Sequence, residues 1–257
     1  MLTCETVRLG TGRSWQVFGG GTGPALLWLH GVRGVDPADA MLAALAAHHR
    51  IVAPLAPGFA DLAEIDTIGD IHDLALDYDD LLRHLRLQNL PIVGHSFGAM
   101  IAAEIAAHFP ERASRLVLLA PVGLWNDAYP VADLFARPVG EMDQLLWFDT
   151  AARDAQAKSA PQNQAEEMIT LARMLTCVTK FIWPIPDKGL RRRLYRVTAP
   201  ALVIFGAEDK FVSPRYADDF AHDLTSCETV ILPGAGHMVP YEKTAEVAAR
   251  IERFLRG

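Results

Sequence analysis

The stretch that decides the fold is LPIVGHSFGAMIAAEIAAHFPER, residues 90–112. A short apolar run breaks at Gly94-His95-Ser96-Phe97-Gly98 and resumes at once as an alanine-rich helix. Small residues on both sides of one serine suit neither a strand nor a helix interior, so this position is built for a tight turn. A serine held on a strained turn needs neighbours without side chains, because the following helix and the adjacent strand approach closely. Its hydroxyl then projects above the carboxyl end of a sheet, near the positive end of the helix dipole. Gly94-x-Ser96-x-Gly98 at a strand-to-helix junction is the pattern of a nucleophile elbow.

Working outward, short apolar runs bounded by turn residues recur at 25–31, 50–54, 115–121, 201–206 and 228–234. Their continuous apolar character suits parallel strands covered on both faces. Helical spacing occupies 38–48, 70–87, 97–109, 214–223 and 242–256 between them. Strand alternating with helix predicts an α/β protein with a parallel sheet joined by right-handed crossovers. The runs CETVRLG and SWQVFG alternate more and predict an antiparallel hairpin at the sheet edge. After Pro121 the alternation stops. Helical pieces rich in Trp, Phe, Met and Leu follow (VADLFARP, EMDQLLWFDT and QAEEMITLARMLTCVTKFIW), which predicts a helical insertion packed over one end of the sheet. The expected organisation is a core of 1–122 and 196–257 with an inserted helical lid over 123–195.

A serine hydroxyl is a weak nucleophile; it needs a base, and the base needs an orienting carboxylate. An elbow therefore predicts an acid and then a histidine downstream, each just past a later strand. ALVIFGAEDKFVSP supplies Asp209, with Glu208 as the less favoured neighbour, and VILPGAGHMVPYE supplies His237. A tetrahedral intermediate also needs donors for its oxyanion. The backbone amides of Phe97, after the serine, and Val32, in HGVRG, are the candidates, with His30 tying that loop down. Arg33 reads as an exposed loop arginine, with binding of a substrate carboxylate as the less favoured alternative, and His95 reads as packing.

The stretches LHGVRG (29–34), APGFAD (56–61), GHSFGA (94–99), GAEDKFVSP (206–214) and GAGHMVPYEK (234–243) resemble the α/β-hydrolase superfamily over nearly the whole chain. The resemblance implies an eight-stranded, mostly parallel sheet with a helical cap inserted after the sixth strand. It implies Ser96 as nucleophile, His237 as general base and Asp209 as its partner. Within the superfamily the insertion looks most like esterases and the carbon–carbon bond hydrolases of aromatic degradation. Several departures weigh toward an ester: HGVRG replaces the glycine- and proline-rich loop of the carbon–carbon hydrolases, and no Trp follows His237. A serine at the elbow also weighs against dehalogenase or epoxide hydrolase chemistry. The expected activity is cleavage of a small or medium carboxylic ester. Carbon–carbon or lactone hydrolysis is the alternative, and a slow-turnover ligand-binding receptor a further one.

The insertion offers Trp125 and Trp147, with Met238 beside the histidine, as pocket candidates; Phe148, Met174, Phe181 and Trp183 are weaker ones. No cofactor is implied: the sequence holds no HExxH, CxxC pair, P-loop or strand-borne GxGxxG, and GGGTG at 19–23 precedes a strand. The adjacent His48 and His49 point apart on a helix, so no metal site is expected. A net charge of −7 gives no electrostatic footprint for nucleic acid, and the one basic run, LRRRLYR (190–196), reads as a solvated helix face. No apolar span reaches membrane-crossing length and no signal peptide is seen. Cys4, Cys177 and Cys227, odd in number and scattered, suit reduced thiols and a cytoplasmic location. The expected partner is a small-molecule substrate.

Overall fold

In a computed structural model, which describes residues 1–157 and 164–257, the sheet is built outward from the segment around Ser96. β1 (Thr3–Arg8) and β2 (Ser14–Gly20) form the antiparallel hairpin expected at the edge. β3 (Ala25–Leu29), β4 (Arg50–Pro54), β5 (Leu90–His95), β6 (Ala113–Leu119), β7 (Ala201–Gly206) and β8 (Cys227–Leu232) follow, one at each apolar run read as a strand. The spatial order is β1-β2-β4-β3-β5-β6-β7-β8, parallel from β4 to β8. This is the α/β-hydrolase arrangement. Leu26, Leu27, Trp28, Leu29, Ile92 and Val93 are fully buried, as strands covered on both faces require.

Helices α1 (Ala40–Ala46), α2 (Ile71–His84) and α3 (Phe97–His108) connect the central strands. Their starts are written in the sequence. Asp39 accepts the amides of Met41 and Leu42 at the head of α1, and Asp70 those of His72 and Asp73 at the head of α2. α2 packs on α3 and α1 packs on the last helix, α9, which runs Thr244–Arg256. Because the chain runs from β3 out to β4 and then back past β3 to β5, right-handed crossovers place the two pairs on opposite faces. The strand order therefore reverses between β3 and β5. The crevice beyond the carboxyl ends at such a switch point is where open α/β sheets bind ligands.

Between β6 and β7 the chain forms α4 (Val139–Leu146), α5 (Thr150–Ala157) and α6 (Gln164–Ile182); no strand occurs there among the described residues. VADLFARP is a turn, not a helix. The Asp133 carboxylate accepts the amides of Phe135 and Ala136, and Ala132 donates to the Phe211 carbonyl, so local bonds replace a helical ladder. α7 (Tyr216–Asp223) and the short α8 (Val239–Glu242) complete the elements.

The basic run LRRRLYR also departs from the expected solvated face. It forms two 3₁₀ turns; Arg193 pairs with the buried carboxylate of Glu104 at 2.9 and 2.7 Å, and Arg196 donates to the Ala107 carbonyl. Glu104 lies on α3, which is buried nearly all round, so its charge needs this partner.

Glycine is a steric requirement where β5 meets α3. A Cβ at Gly98 would sit on the carbonyl oxygens of Leu29 and His30, and one at Gly94 on the Gly98 carbonyl and 2.6 Å from Ala99 Cα. These neighbours are backbone and cannot swing away. Gly98→Ala is therefore expected to lower unfolding free energy by about 3 kcal/mol or more, measured by urea denaturation. A loss under about 1 kcal/mol would show that the close approach is not a packing constraint.

Candidate active site

Ser96 occupies φ 55°, ψ −116°, a region a non-glycine residue adopts at a cost of about 1–3 kcal/mol. It stands at the N-cap of α3, where a serine side chain ordinarily accepts an amide of the first turn, yet it makes no capping bond. The strained turn points the hydroxyl elsewhere: Oγ lies 2.7 Å from His237 Nε2. His237 Nδ1 lies 2.8 Å from Asp209 Oδ2. Since a carboxylate only accepts, Nδ1–H donates to Asp209 and Nε2 is left to accept from the serine hydroxyl. All three residues are buried, so the contacts operate away from bulk water.

The Asp209 carboxylate divides its work. Oδ1 accepts the amides of Phe211 and Val212, each at 2.9 Å, while Oδ2 faces the imidazole. The turn cap thus fixes the orientation in which the acid meets the histidine. Glu208 points away from the imidazole, and its Oε2 accepts the amides of Gly234 and Ala235, holding the glycine-rich loop that carries His237. Phe211 packs edge-on against the His237 ring at 4.8 Å.

Three further residues support the triad, and the roles of His95 and Glu242 among them went unread in the sequence. His95, read as packing, donates from Nε2 to the His237 carbonyl at 3.0 Å and packs on Tyr241. Burial, the largest cause, pushes its pKa down to about 3, so it stays a neutral donor. His30 donates from Nδ1 to the Gly31 carbonyl and accepts the Ala56 amide at Nε2, tying the β3 loop down as expected. Its pKa is pushed down to about 4, chiefly by burial. Glu242 accepts the Gly236 amide on Oε2 and the Phe148 and Asp149 amides on Oε1, linking the histidine loop to the helical insertion. The signal for Glu208 and Glu242 was the loop itself, since the amides of Gly234, Ala235 and Gly236 need acceptors.

Val32 and Phe97 line the cavity beside Ser96, and neither amide donates a hydrogen bond within the described residues. The cavity is narrow, with a volume of about 20 Å³. That is room for about one water. Of the expected pocket residues, Met238 lines this cavity. Trp125 does not: its indole N–H bonds Asp127 and it borders a separate surface depression with Ile185 and Arg191. Trp147 is buried, its ring 6.2 Å from that of Tyr241, and it does not line the cavity. Phe181 stacks on Phe97, while Phe148 and Trp183 are about half exposed. The apolar wall comes instead from Leu134, Leu146, Val178, Ile182 and Phe211.

Among the described residues one group, His72, Glu104 and His108, brings metal-ligand atoms within 4.8 Å of one another. Its carboxylate is already engaged twice by Arg193, and His72 Nδ1 lies 3.0 Å from His108 Nε2 as a hydrogen bond. None of the three lines the cavity.

Two measurements test these supports. Glu242→Ala, which leaves three amides without their charged acceptor, should cost about 2 kcal/mol of stability in urea unfolding; no change would remove Glu242 from the loop's framework. The second concerns pH. His30 and His95 have folded pKa values below the ordinary 6.5, so the unfolded chain binds more protons below pH 6.5. Their contribution is present above pH 6.5 and is lost as pH falls toward 4 and 3, each with a slope up to about 1.4 kcal/mol per pH unit. Asp39, raised to about 6 chiefly by burial, opposes with one group between pH 3.8 and 6. The melting temperature should therefore fall from pH 6.5 to 4.5, and less steeply in His95→Asn. A slope unchanged in that variant would contradict the buried neutral histidine.

The chain is 28% identical to the dihydrolipoyllysine-residue acetyltransferase component of an acetoin cleaving system from Pseudomonas putida, over 94% of the chain and 66% of that protein's length. It therefore spans just under two thirds of that relative. Among solved structures, a membrane phospholipase A described as a bacterial virulence factor superposes with a TM-score of 0.80 at 20% identity, over 100% of the chain and 86% of that structure. A meta-cleavage product hydrolase from Pseudomonas fluorescens IP01 superposes with a TM-score of 0.78 at 18% identity, over 98% and 97%. At these identities the structures speak for the fold. Residues 19–250, most of the sheet and both strand-end loops that meet at Ser96, match the family described as Alpha/beta hydrolase family, and the chain belongs to it.

Proposed function

We propose that this hydrolase cleaves small or medium carboxylic esters through an acyl-enzyme. The observation that carries the reading is the unbroken chain Ser96 Oγ to His237 Nε2 at 2.7 Å and His237 Nδ1 to Asp209 Oδ2 at 2.8 Å. Ser96 attacks the ester carbonyl as Nε2 takes its proton, and Asp209 steadies the imidazolium that forms. The carbonyl oxygen, now negative, is placed to receive the Phe97 and Val32 amides. His237 returns the proton to the leaving alcohol. Water then repeats the sequence on the acyl-serine, releasing the acid. The narrow cavity supports a reaction shielded from bulk solvent. It also means that a substrate must displace its apolar wall, which comes largely from Leu134, Leu146, Val178 and Ile182 in the helical insertion, here proposed as a lid.

A fluorophosphonate probe should label Ser96, seen by peptide mass spectrometry. Ser96→Ala should lower kcat on a nitrophenyl ester by about 10⁵-fold or more, and Asp209→Asn by about 10⁴-fold. An unlabelled active protein, or a Ser96→Ala variant that keeps its esterase rate, would exclude the mechanism.

A further inference from the structure

Among the described residues Arg33 is the one side chain with a permanent charge in the wall of the Ser96 cavity, and it is exposed at the cavity's edge, as the sequence led one to expect; the rest of the wall is apolar apart from Ser96, His95 and His237. Several partly buried cations are matched, Arg13 with Asp77, Arg112 with Asp79, Arg193 with Glu104 and Arg191 with Asp219, whereas exposed ones such as Arg8, Arg50 and Lys210 have no ion pair among the described residues. Arg33 makes no ion pair or hydrogen bond among the described residues, and its only contact of note is the Trp147 ring, 6.0 Å from the guanidinium carbon. The nearest acids on its own loop are turned to other work. Asp36 accepts the Ala38 amide, and Asp39 is buried, accepting the amides of Met41 and Leu42 beside the Tyr241 hydroxyl. The positive charge of Arg33 is also felt at His95, next to the serine, and at Tyr241.

The loop explains how the charge comes to be there. Arg33 follows Val32, which lines the cavity and whose amide donates no hydrogen bond among the described residues, and the turn that carries both is closed by the Gly34 amide on the Gly31 carbonyl at 3.2 Å. His30 anchors that turn from below. The arginine's backbone is therefore held beside Ser96, while its fork of donors is unclaimed. A guanidinium on an aromatic face, at the edge of an apolar cavity and without a carboxylate of its own, is arranged to take a planar anion in two parallel hydrogen bonds.

We propose that Arg33 binds an anionic group of the substrate, so that the esters this enzyme prefers carry a free carboxylate on one side of the scissile bond. This rests on the serine-hydrolase reading given above. The bond cleaved and the acyl-enzyme are the same; what Arg33 adds is selection between a charged ester and its neutral analogue. A charge-assisted contact of this kind raises kcat/KM for the charged member by about 10- to 100-fold.

The test uses the full chain and two matched ester pairs. One pair is 4-nitrophenyl adipate with its far carboxyl free or methyl-capped, which puts the charge on the acyl side. The other is 3-acetoxybenzoate and its methyl ester, followed by phenol release, which puts it on the alcohol side. The readout is the ratio of kcat/KM between the charged and neutral members. The wild-type protein should favour the charged member in at least one pair, and the preference should shrink as salt rises from 50 to 500 mM. Arg33→Ala should lower that ratio by at least 10-fold, with Arg33→Lys between. Fluorophosphonate labelling at the wild-type rate shows that each variant is folded. A ratio near one in both pairs, or a ratio that Arg33→Ala leaves unchanged, overturns the proposal. So does a loss shared equally by charged and neutral esters, which would make Arg33 a support of the oxyanion loop. Turnover of no ester together with no labelling of the wild-type serine would instead overturn the underlying reading.

Discussion

The close approach of backbone to backbone around Ser96 is the constraint from which the rest of the site follows. Gly98 abuts the carbonyls of Leu29 and His30, so the start of α3 and the end of β3 press directly on one another. That contact joins the serine turn to the loop bearing Val32. The serine stays in its strained conformation because the turn is fixed on both sides: its amide donates to the Leu119 carbonyl of β6, and its carbonyl accepts the amides of Ala99 and Met100. Strain of this size persists only where the surroundings over-determine it. The same principle recurs across the sheet at Gly206, where a Cβ would strike the carbonyls of Ala235 and Gly236 in the histidine loop. Glycine thus sets the spacing between the strand that leads to Asp209 and the loop that carries His237 as well.

Much of this was legible because it follows from sterics and period. Glycines around Ser96 can be read as a turn, buried parallel strands as continuous apolar runs, and the order serine, acid, histidine as three strand ends meeting at one edge. The sequence already favours Asp209 over Glu208, and the coordinates add the direction of each carboxylate: one holds a loop and the other meets the ring. The pocket wall was the least legible part. Helical spacing shows that a face is apolar but not which neighbour covers it. Trp125 has a polar partner in Asp127, and Leu134 reaches the cavity from a turn that resembled a helix. LRRRLYR misled for a related reason: its main partner, Glu104, lies far away in sequence.

The interior of this protein manages its charges by pairing or neutralising nearly all of them. Glu104 and Arg193, and Asp79 and Arg112, meet as close ion pairs, while His30 and His95 are held neutral and serve as fixed hydrogen-bond donors. Arg33 is placed differently: its side chain is exposed, reaches the edge of the cavity beside Ser96, and has no carboxylate partner among the described residues. Buried pairs contribute little net stability but position what they hold; an unmatched charge at a cavity wall contributes through what arrives.

The Glu242 carboxylate clasps the histidine loop with one oxygen and the amides of Phe148 and Asp149 with the other. For protein engineering this makes the insertion a poor interchangeable module. Grafting the corresponding segment of a relative between β6 and β7 would change the shape of the pocket, but it would also detach an anchor of the His237 loop unless two amides were kept in register with Glu242. Libraries that diversify 150–182 while leaving Phe148 and Asp149 in place separate the two effects, because they vary the wall without loosening the loop it is tied to.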